Sequence, residues 1–175
     1  MKRAAAIVLL VLALAGVFLS VTAGRQGTAS PGLPGPALGH LAPAFSLPGV
    51  QGGTVSLASL RGTVVLINFW ATWCPDCRQE LPSLQRLHQQ EGSAVAILGV
   101  DVHEPRALVR LFVQQQGLAW PILLDGTGSV TAQYGVYYLP TSFFLSRSGV
   151  IRRIYTGPMT LGQMRSFVRD AAAPA

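Results

Sequence analysis

Asn68-Phe69-Trp70-Ala71-Thr72-Trp73-Cys74-Pro75-Asp76-Cys77-Arg78 contains both cysteines of this 175-residue chain. An apolar run, Val64 to Phe69, leads into it, as expected for a strand buried on both faces. A helical pattern follows, with Cys77, Leu81, Leu84 and His88 on one stripe and Leu87 beside it. A strand that ends in Cys-x-x-Cys and turns into a helix is a redox arrangement. Two cysteines are too few for a disulfide scaffold. A structural zinc site needs two further ligands, and His40, His88 and His103 are not paired at ligand spacing. No metal and no cofactor are therefore expected.

Cys74 falls at the start of the helix, where free backbone N–H groups and the helix dipole favour a thiolate. It is expected to be the exposed, attacking thiol, with Cys77 one turn deeper as the resolving thiol. Asp76, in the same first turn, suits the helix but opposes a thiolate, which biases the pair towards reduction. Pro82 removes one helical hydrogen bond and is expected to kink the helix.

Outward from this centre, strands and helices alternate. Ala44 to Leu57 reads as a short hairpin around Pro48-Gly49 and Gly52-Gly53. Ala94 to Val102 is a second buried strand. Glu104-Pro105 opens a helix with proline in its first turn, Leu108, Leu111 and Phe112 inward, and Gly117 at its end. Pro121 to Leu124 is a short strand and Ser129 to Tyr134 a short helix. Thr141 to Leu145 and Val150 to Tyr155 form a hairpin across Arg147-Ser148-Gly149. Thr160 caps a last helix with Leu161, Met164, Phe167 and Val168 inward. The sum is an α/β domain with a mixed central sheet flanked by helices.

Residues 1–23 read as a membrane anchor or signal peptide. Lys2 and Arg3 precede an uncharged apolar run from Ala4 to about Ala23, and about 20 helical residues span a bilayer core. Val21-Thr22-Ala23 resembles a small-residue cleavage site. Either way, residues 40–175 are expected outside the cytosol, as a single-pass membrane protein or secreted after cleavage. Residues 24–39 are rich in Gly and Pro and read as a tether, with an r.m.s. span of roughly 20–25 Å. The net charge of +6 does not indicate nucleic acid, because from Pro36 onward ten scattered Arg face seven acidic residues.

The chain resembles the thioredoxin-fold, TlpA/ResA-like group of membrane-tethered thiol-disulfide oxidoreductases. Ala42-Pro43-Ala44-Phe45-Ser46-Leu47 is similar to the group's entry motif, and Phe69 through Cys74-Pro75-Asp76-Cys77 to Pro82 to its active-site run. Tyr134-Gly135-Val136 with Leu139-Pro140-Thr141 resembles the cis-proline segment, and Glu104 to Asp125 the group's helix-strand insertion. The likeness covers about Leu41 to Val168.

The resemblance implies a thioredoxin-like fold and a Cys74/Cys77 dithiol-disulfide pair. It implies docking of extended protein substrates at Leu139, Pro140, Trp73 and Pro75, with Tyr137 and Tyr138 beside them and Trp70 in the core. Asn68 stands where plain thioredoxin carries a buried Asp, and the group often has Glu at the place of Glu80. Glu80 is thus the expected proton carrier. The implied partners are a protein disulfide, of which the Cys-x-x-Cys-His of apocytochrome c is typical, and a membrane electron donor of the CcdA/DsbD type. Alternatives are a disulfide-forming oxidant, a thiol peroxidase (although the usual Pro-x-x-x-Thr-x-x-Cys run is missing) and a copper chaperone of Sco type, which has Cys-x-x-x-Cys.

Overall fold

The computed structural model describes residues 36–174. The expected anchor, cleavage site and most of the tether lie outside the described residues. Among the described residues no helix is long and apolar enough to cross a membrane. By Gly39 the chain is already tied to the domain, since the Gly39 N–H donates to the Ile151 carbonyl at 2.8 Å.

A hairpin, β1 (Ser46–Pro48) and β2 (Thr54–Ser56), precedes a 3₁₀ turn at Leu57–Leu60. Then come β3 (Val64–Trp70), α1 (Pro75–Glu91), β4 (Val95–Val102), α2 (Arg106–Gln116), β5 (Ile122–Asp125) and α3 (Ser129–Gln133). The strands β6 (Thr141–Leu145) and β7 (Ile151–Thr156) and the helix α4 (Leu161–Ala172) complete the chain. The main sheet runs β5-β4-β3-β6-β7. Its β3–β4 and β4–β5 pairs are parallel, and its β3–β6 and β6–β7 pairs antiparallel. The expected mixed sheet, N-terminal hairpin and helix-strand insertion are all present.

β3 is central because every one of its seven residues is buried. Its side chains alternate between two cores. Val64, Leu66 and Trp70 face the core built with α1, α2 and α4, which includes Leu84, Val109 and Met164. Val65, Ile67 and Phe69 face the hairpin, the 3₁₀ turn and Tyr134 just after α3. Asn68, in phase with Leu66 and Trp70, is the polar exception on the α1 side and is only 2% exposed.

Two expectations for α2 are corrected. Pro105 is not in the first turn but is the N-cap, with extended backbone at φ −64° and ψ 135°. The buried residues are Val109 and Val113, with Phe112 packed beside them, while Leu108 and Leu111 are 46% and 56% exposed. Ala107 to Val109 and Leu111 to Val113 are all apolar, so two adjacent stripes fit the helical period equally well. Packing in the α1-side core chooses the stripe of Val109 and Val113. α1 continues through Pro82, whose ring lies on the exposed side.

Candidate active site

Cys74 is the N-cap of α1, with Pro75 at the first helical position, where a missing N–H costs nothing. The Cys74 Sγ accepts a hydrogen bond from the Cys77 backbone N–H at 3.1 Å. The two sulfurs form a disulfide, with the Cα atoms 5.3 Å apart. The sulfur that would carry negative charge after reduction therefore already occupies an anion position at a helix N-terminus.

The exposure expected for Cys74 is corrected. In the disulfide it is 3% exposed and Cys77 1%. Its sulfur turns inward to reach Cys77, and both residues join the core beneath α1. Asp76 and Pro75 are exposed in the first turn, and Trp73 is 66% exposed. Trp70, by contrast, is buried as expected.

Register places the remaining residues. Thr141 at the start of β6 pairs with Phe69 near the end of β3, so Pro140 lies at the sheet end from which the cysteine loop leaves. The Leu139–Pro140 peptide is cis. The Pro140 carbonyl accepts from the Gly157 N–H at 2.8 Å. Among the described residues, no backbone hydrogen bond engages Leu139, whose side chain packs against the core containing both cysteines. Tyr137 and Tyr138, 68% and 74% exposed, precede it.

A buried polar cluster is built around Glu80 of α1. Asn68 and Ser142 face each other across β3 and β6. The Asn68 Nδ2 donates to Glu80 Oε1 at 2.7 Å and to Ser142 Oγ at 3.0 Å. The Met159 N–H donates to Glu80 Oε2 at 3.1 Å. Glu80 is 1% exposed, one turn along α1 from Cys77. Burial pushes its carboxyl up to about 7, against the opposing pull of the Asn68 and Met159 hydrogen bonds. A carboxyl that exchanges its proton near neutral pH is a competent general acid or base.

A model of the AhpC/TSA family matches residues 38–154. The thiol-disulfide oxidoreductase ResA of Geobacillus thermodenitrificans is 38% identical over 137 residues, covering 77% of this chain and 78% of that protein. The chain belongs to the AhpC/TSA family, among its ResA-like members. The thioredoxin-like protein YneN of Bacillus subtilis is 37% identical over 159 residues, covering 86% of this chain and 93% of that protein. Among solved structures, a thiol:disulfide interchange protein of Chlorobium tepidum superposes with a TM-score of 0.71 at 29% identity, covering 78% of this chain and 99% of that one. This ResA-like chain is accordingly a thiol-disulfide oxidoreductase with a thioredoxin-like fold, and Cys74 and Cys77 stand at disulfide distance within it.

Sequence reading missed three residues around this site. Ser142 reaches Asn68 only through the sheet register, and the Met159 N–H reaches Glu80 only through the turn before α4. Glu104, read only as a helix start, binds the cysteine loop itself. Its carboxylate accepts from the Thr72 N–H at 2.5 Å and the Thr72 hydroxyl at 2.6 Å.

Proposed function

We propose that this ResA-like protein reduces disulfides of extracytoplasmic proteins, with Cys74 as nucleophile and Cys77 as resolving thiol. The observation that carries the assignment is the Cys74 sulfur held at the N-terminus of α1 by the Cys77 N–H. In the reduced enzyme the Cys74 thiolate attacks one sulfur of the substrate disulfide, and the other sulfur leaves as a thiolate. Cys77 then loses its proton and attacks Cys74, expelling the substrate's second sulfur and closing the Cys74–Cys77 bond. Two electrons and two protons pass to the substrate. Glu80 takes the proton from Cys77, directly or through water, when its own carboxylate is ionised.

The free backbone groups of Leu139 would pair with an extended substrate strand beside Pro140, and Trp73 and Pro75 would flank it. Asp76 adds negative charge to the first turn and disfavours the thiolate, so the reduced form is a better donor. The uncharged run after Lys2 and Arg3 supports placement outside the cytosol, tethered to the membrane or released from it. There the protein would need electrons delivered through the membrane, by a carrier of the CcdA/DsbD type. The Cys-x-x-Cys-His disulfide of apocytochrome c is the client the resemblance favours.

The test is a trap. Cys77→Ser should leave Cys74 joined to its substrate in a mixed disulfide, identified by mass spectrometry. Absence of any such adduct in cells that express the variant would refute the exchange. Equilibration with glutathione tests direction, and a strongly oxidising potential would favour the disulfide-forming alternative.

A further inference from the structure

Between α3 and β6 the chain runs Val136-Tyr137-Tyr138-Leu139-Pro140 before the first strand residue, Thr141. Tyr137 and Tyr138 are exposed, so packing holds this loop only at Leu139 and Pro140. Its hydrogen bonds are few as well. Among the described residues, Tyr138 and Pro140 each engage a carbonyl, while the backbone groups of Tyr137 and Leu139 engage none. The Pro140 carbonyl accepts from the Gly157 N–H at 2.8 Å. The Tyr138 carbonyl accepts from the Thr141 hydroxyl at 2.7 Å.

That hydroxyl is held in turn. Thr141 stands opposite Thr156 in the register of β6 with β7, and the two hydroxyl oxygens are 3.2 Å apart. A hydroxyl has one proton to donate and a carbonyl has none. The Thr141 proton therefore lies on the bond to Tyr138, and Thr156 donates to the Thr141 oxygen. A relay runs from Thr156 to Thr141 to the Tyr138 carbonyl, with its direction fixed by proton count. Thr141 is 5% exposed, so its bond to Tyr138 is shielded from water. Valine would serve as well as threonine at the start of a buried strand, and burying a hydroxyl is costly unless it is bonded. The hydroxyl is thus there for the loop rather than for the strand.

The end of β7 grips the loop at two points, through Thr141 on one side of Leu139 and through Gly157 on the other. The backbone groups left over between those points are those of Leu139. We propose that Thr141 is a positioning residue for the substrate: its hydroxyl, backed by Thr156, holds the Tyr138 carbonyl and so fixes the free backbone of Leu139 for an incoming extended strand. This rests on the reading that an extended substrate pairs at Leu139. Without the hydroxyl, Tyr138 loses its anchor and only the Gly157 N–H holds the loop by a hydrogen bond.

The test compares wild type, Thr141→Val and Thr141→Ser as full-length reduced protein. Val keeps the shape and removes the donor, whereas Ser keeps the donor. Two probes carry the same leaving group: hydroxyethyl disulfide, and a short linear peptide whose single cysteine is joined to mercaptoethanol. The Cys74 thiolate attacks the peptide sulfur and mercaptoethanol leaves as a thiolate. Cys77 then loses its proton and attacks Cys74, which releases the peptide thiol and closes the enzyme disulfide. Of the two probes, only the peptide can pair with Leu139. The ratio of second-order rate constants, peptide over small disulfide, is read for each protein, so that any change at the cysteines cancels. Thr141→Val should lower this ratio at least about fivefold, the scale of one hydrogen bond. Thr141→Ser should hold it within about 1.5-fold of wild type. A Thr141→Val ratio equal to wild type, or an equal loss in Thr141→Ser, overturns the positioning role. N-methylation of the peptide residue beside the cysteine checks strand pairing by itself and should slow wild type at least about fivefold. An unaffected wild type removes the pairing and the proposal together. A slowed wild type with an unaltered Thr141→Val ratio overturns the proposal alone. Should Thr141→Val not fold, the exposed Thr156→Val decides: its ratio should fall at least about twofold, and an unchanged ratio overturns the relay.

Discussion

The Asn68 amide nitrogen stands 2.7 Å from Glu80 Oε1 and ties the centre of the sheet to the helix that carries both cysteines. It gives a buried carboxylate one of its two protein donors, the Met159 N–H being the other. Burial raises the Glu80 carboxyl and these two donors hold it down, which leaves it near neutrality. Unlike an Asp, Asn68 cannot take a proton, so at this place titration belongs to Glu80.

Glu80→Gln removes that titration. The rate of mixed-disulfide resolution in wild type should rise with pH through about 7, as the carboxylate forms and accepts the Cys77 proton. The variant should lose this step and be slower by about 10²-fold at pH 8, the low end of general-base effects. Single-turnover kinetics across pH 5–9 would show it. An unchanged profile would assign Glu80 to structure alone.

Asn68→Ala withdraws a donor while leaving Glu80 buried. One lowering influence is lost, so the Glu80 midpoint should move above about 7, and the pH profile of resolution should move upward with it. Glu80 and Ser142 also lose a partner, which should cost about 1–3 kcal/mol in denaturant unfolding. A midpoint that moved down would contradict the described balance.

The raised Asp101 carboxyl also sets a stability slope. Its value goes from 3.8 to about 8 on folding, because burial and then Glu104 penalise the charged form. The folded chain therefore holds this proton more tightly than the unfolded chain. Stability from this group is complete below about pH 4 and is lost as pH climbs towards 8. The loss has an upper limit of about 1.4 kcal/mol per pH unit. Asp101→Asn should flatten that contribution, so urea midpoints of variant and wild type should diverge between pH 5 and 8, in favour of the variant.

Thr160→Ala separates stability from chemistry. The Thr160 hydroxyl accepts from the Gln163 N–H at 3.3 Å, and the Gln163 side chain accepts from the Thr160 N–H at 2.9 Å. Loss of this capping box at α4 should cost about 1 kcal/mol. Exchange rates at 25 °C should fall far less than with Glu80→Gln, because the Thr160 hydroxyl bonds to Gln163 while Glu80 is held by Asn68 and the Met159 N–H.

Some of this molecule is decided by local rules that the chain states directly. A continuous apolar run must be buried on both faces, so β3 is legible as the central strand. Cys-Pro-x-Cys at a strand-to-helix turn must set one sulfur at a helix N-terminus, because Pro75 fits the first helical position and Cys74 the cap. Gly117 in the left-handed conformation ends α2 where a glycine was expected to end it. Thr160 caps α4 for the same kind of local reason.

What the chain does not state is which distant groups meet. Helical period alone leaves the two apolar stripes of α2 equivalent, and packing in the core shared with α1 and α4 selected Val109 and Val113. The disulfide drew Cys74 inward, against the exposure that its place at a helix end suggests. Glu80 on a helix reads equally as a surface residue, and only the fold of α1 over β3 and β6 buries it against Asn68. Glu104 lies 32 residues beyond Thr72 in the chain, and meets it only because β3 and β4 are paired side by side. Periodicity, caps and turns act over a few residues and can be read in order. Burial and desolvation depend on what surrounds a group in space, and the tertiary structure alone decides them.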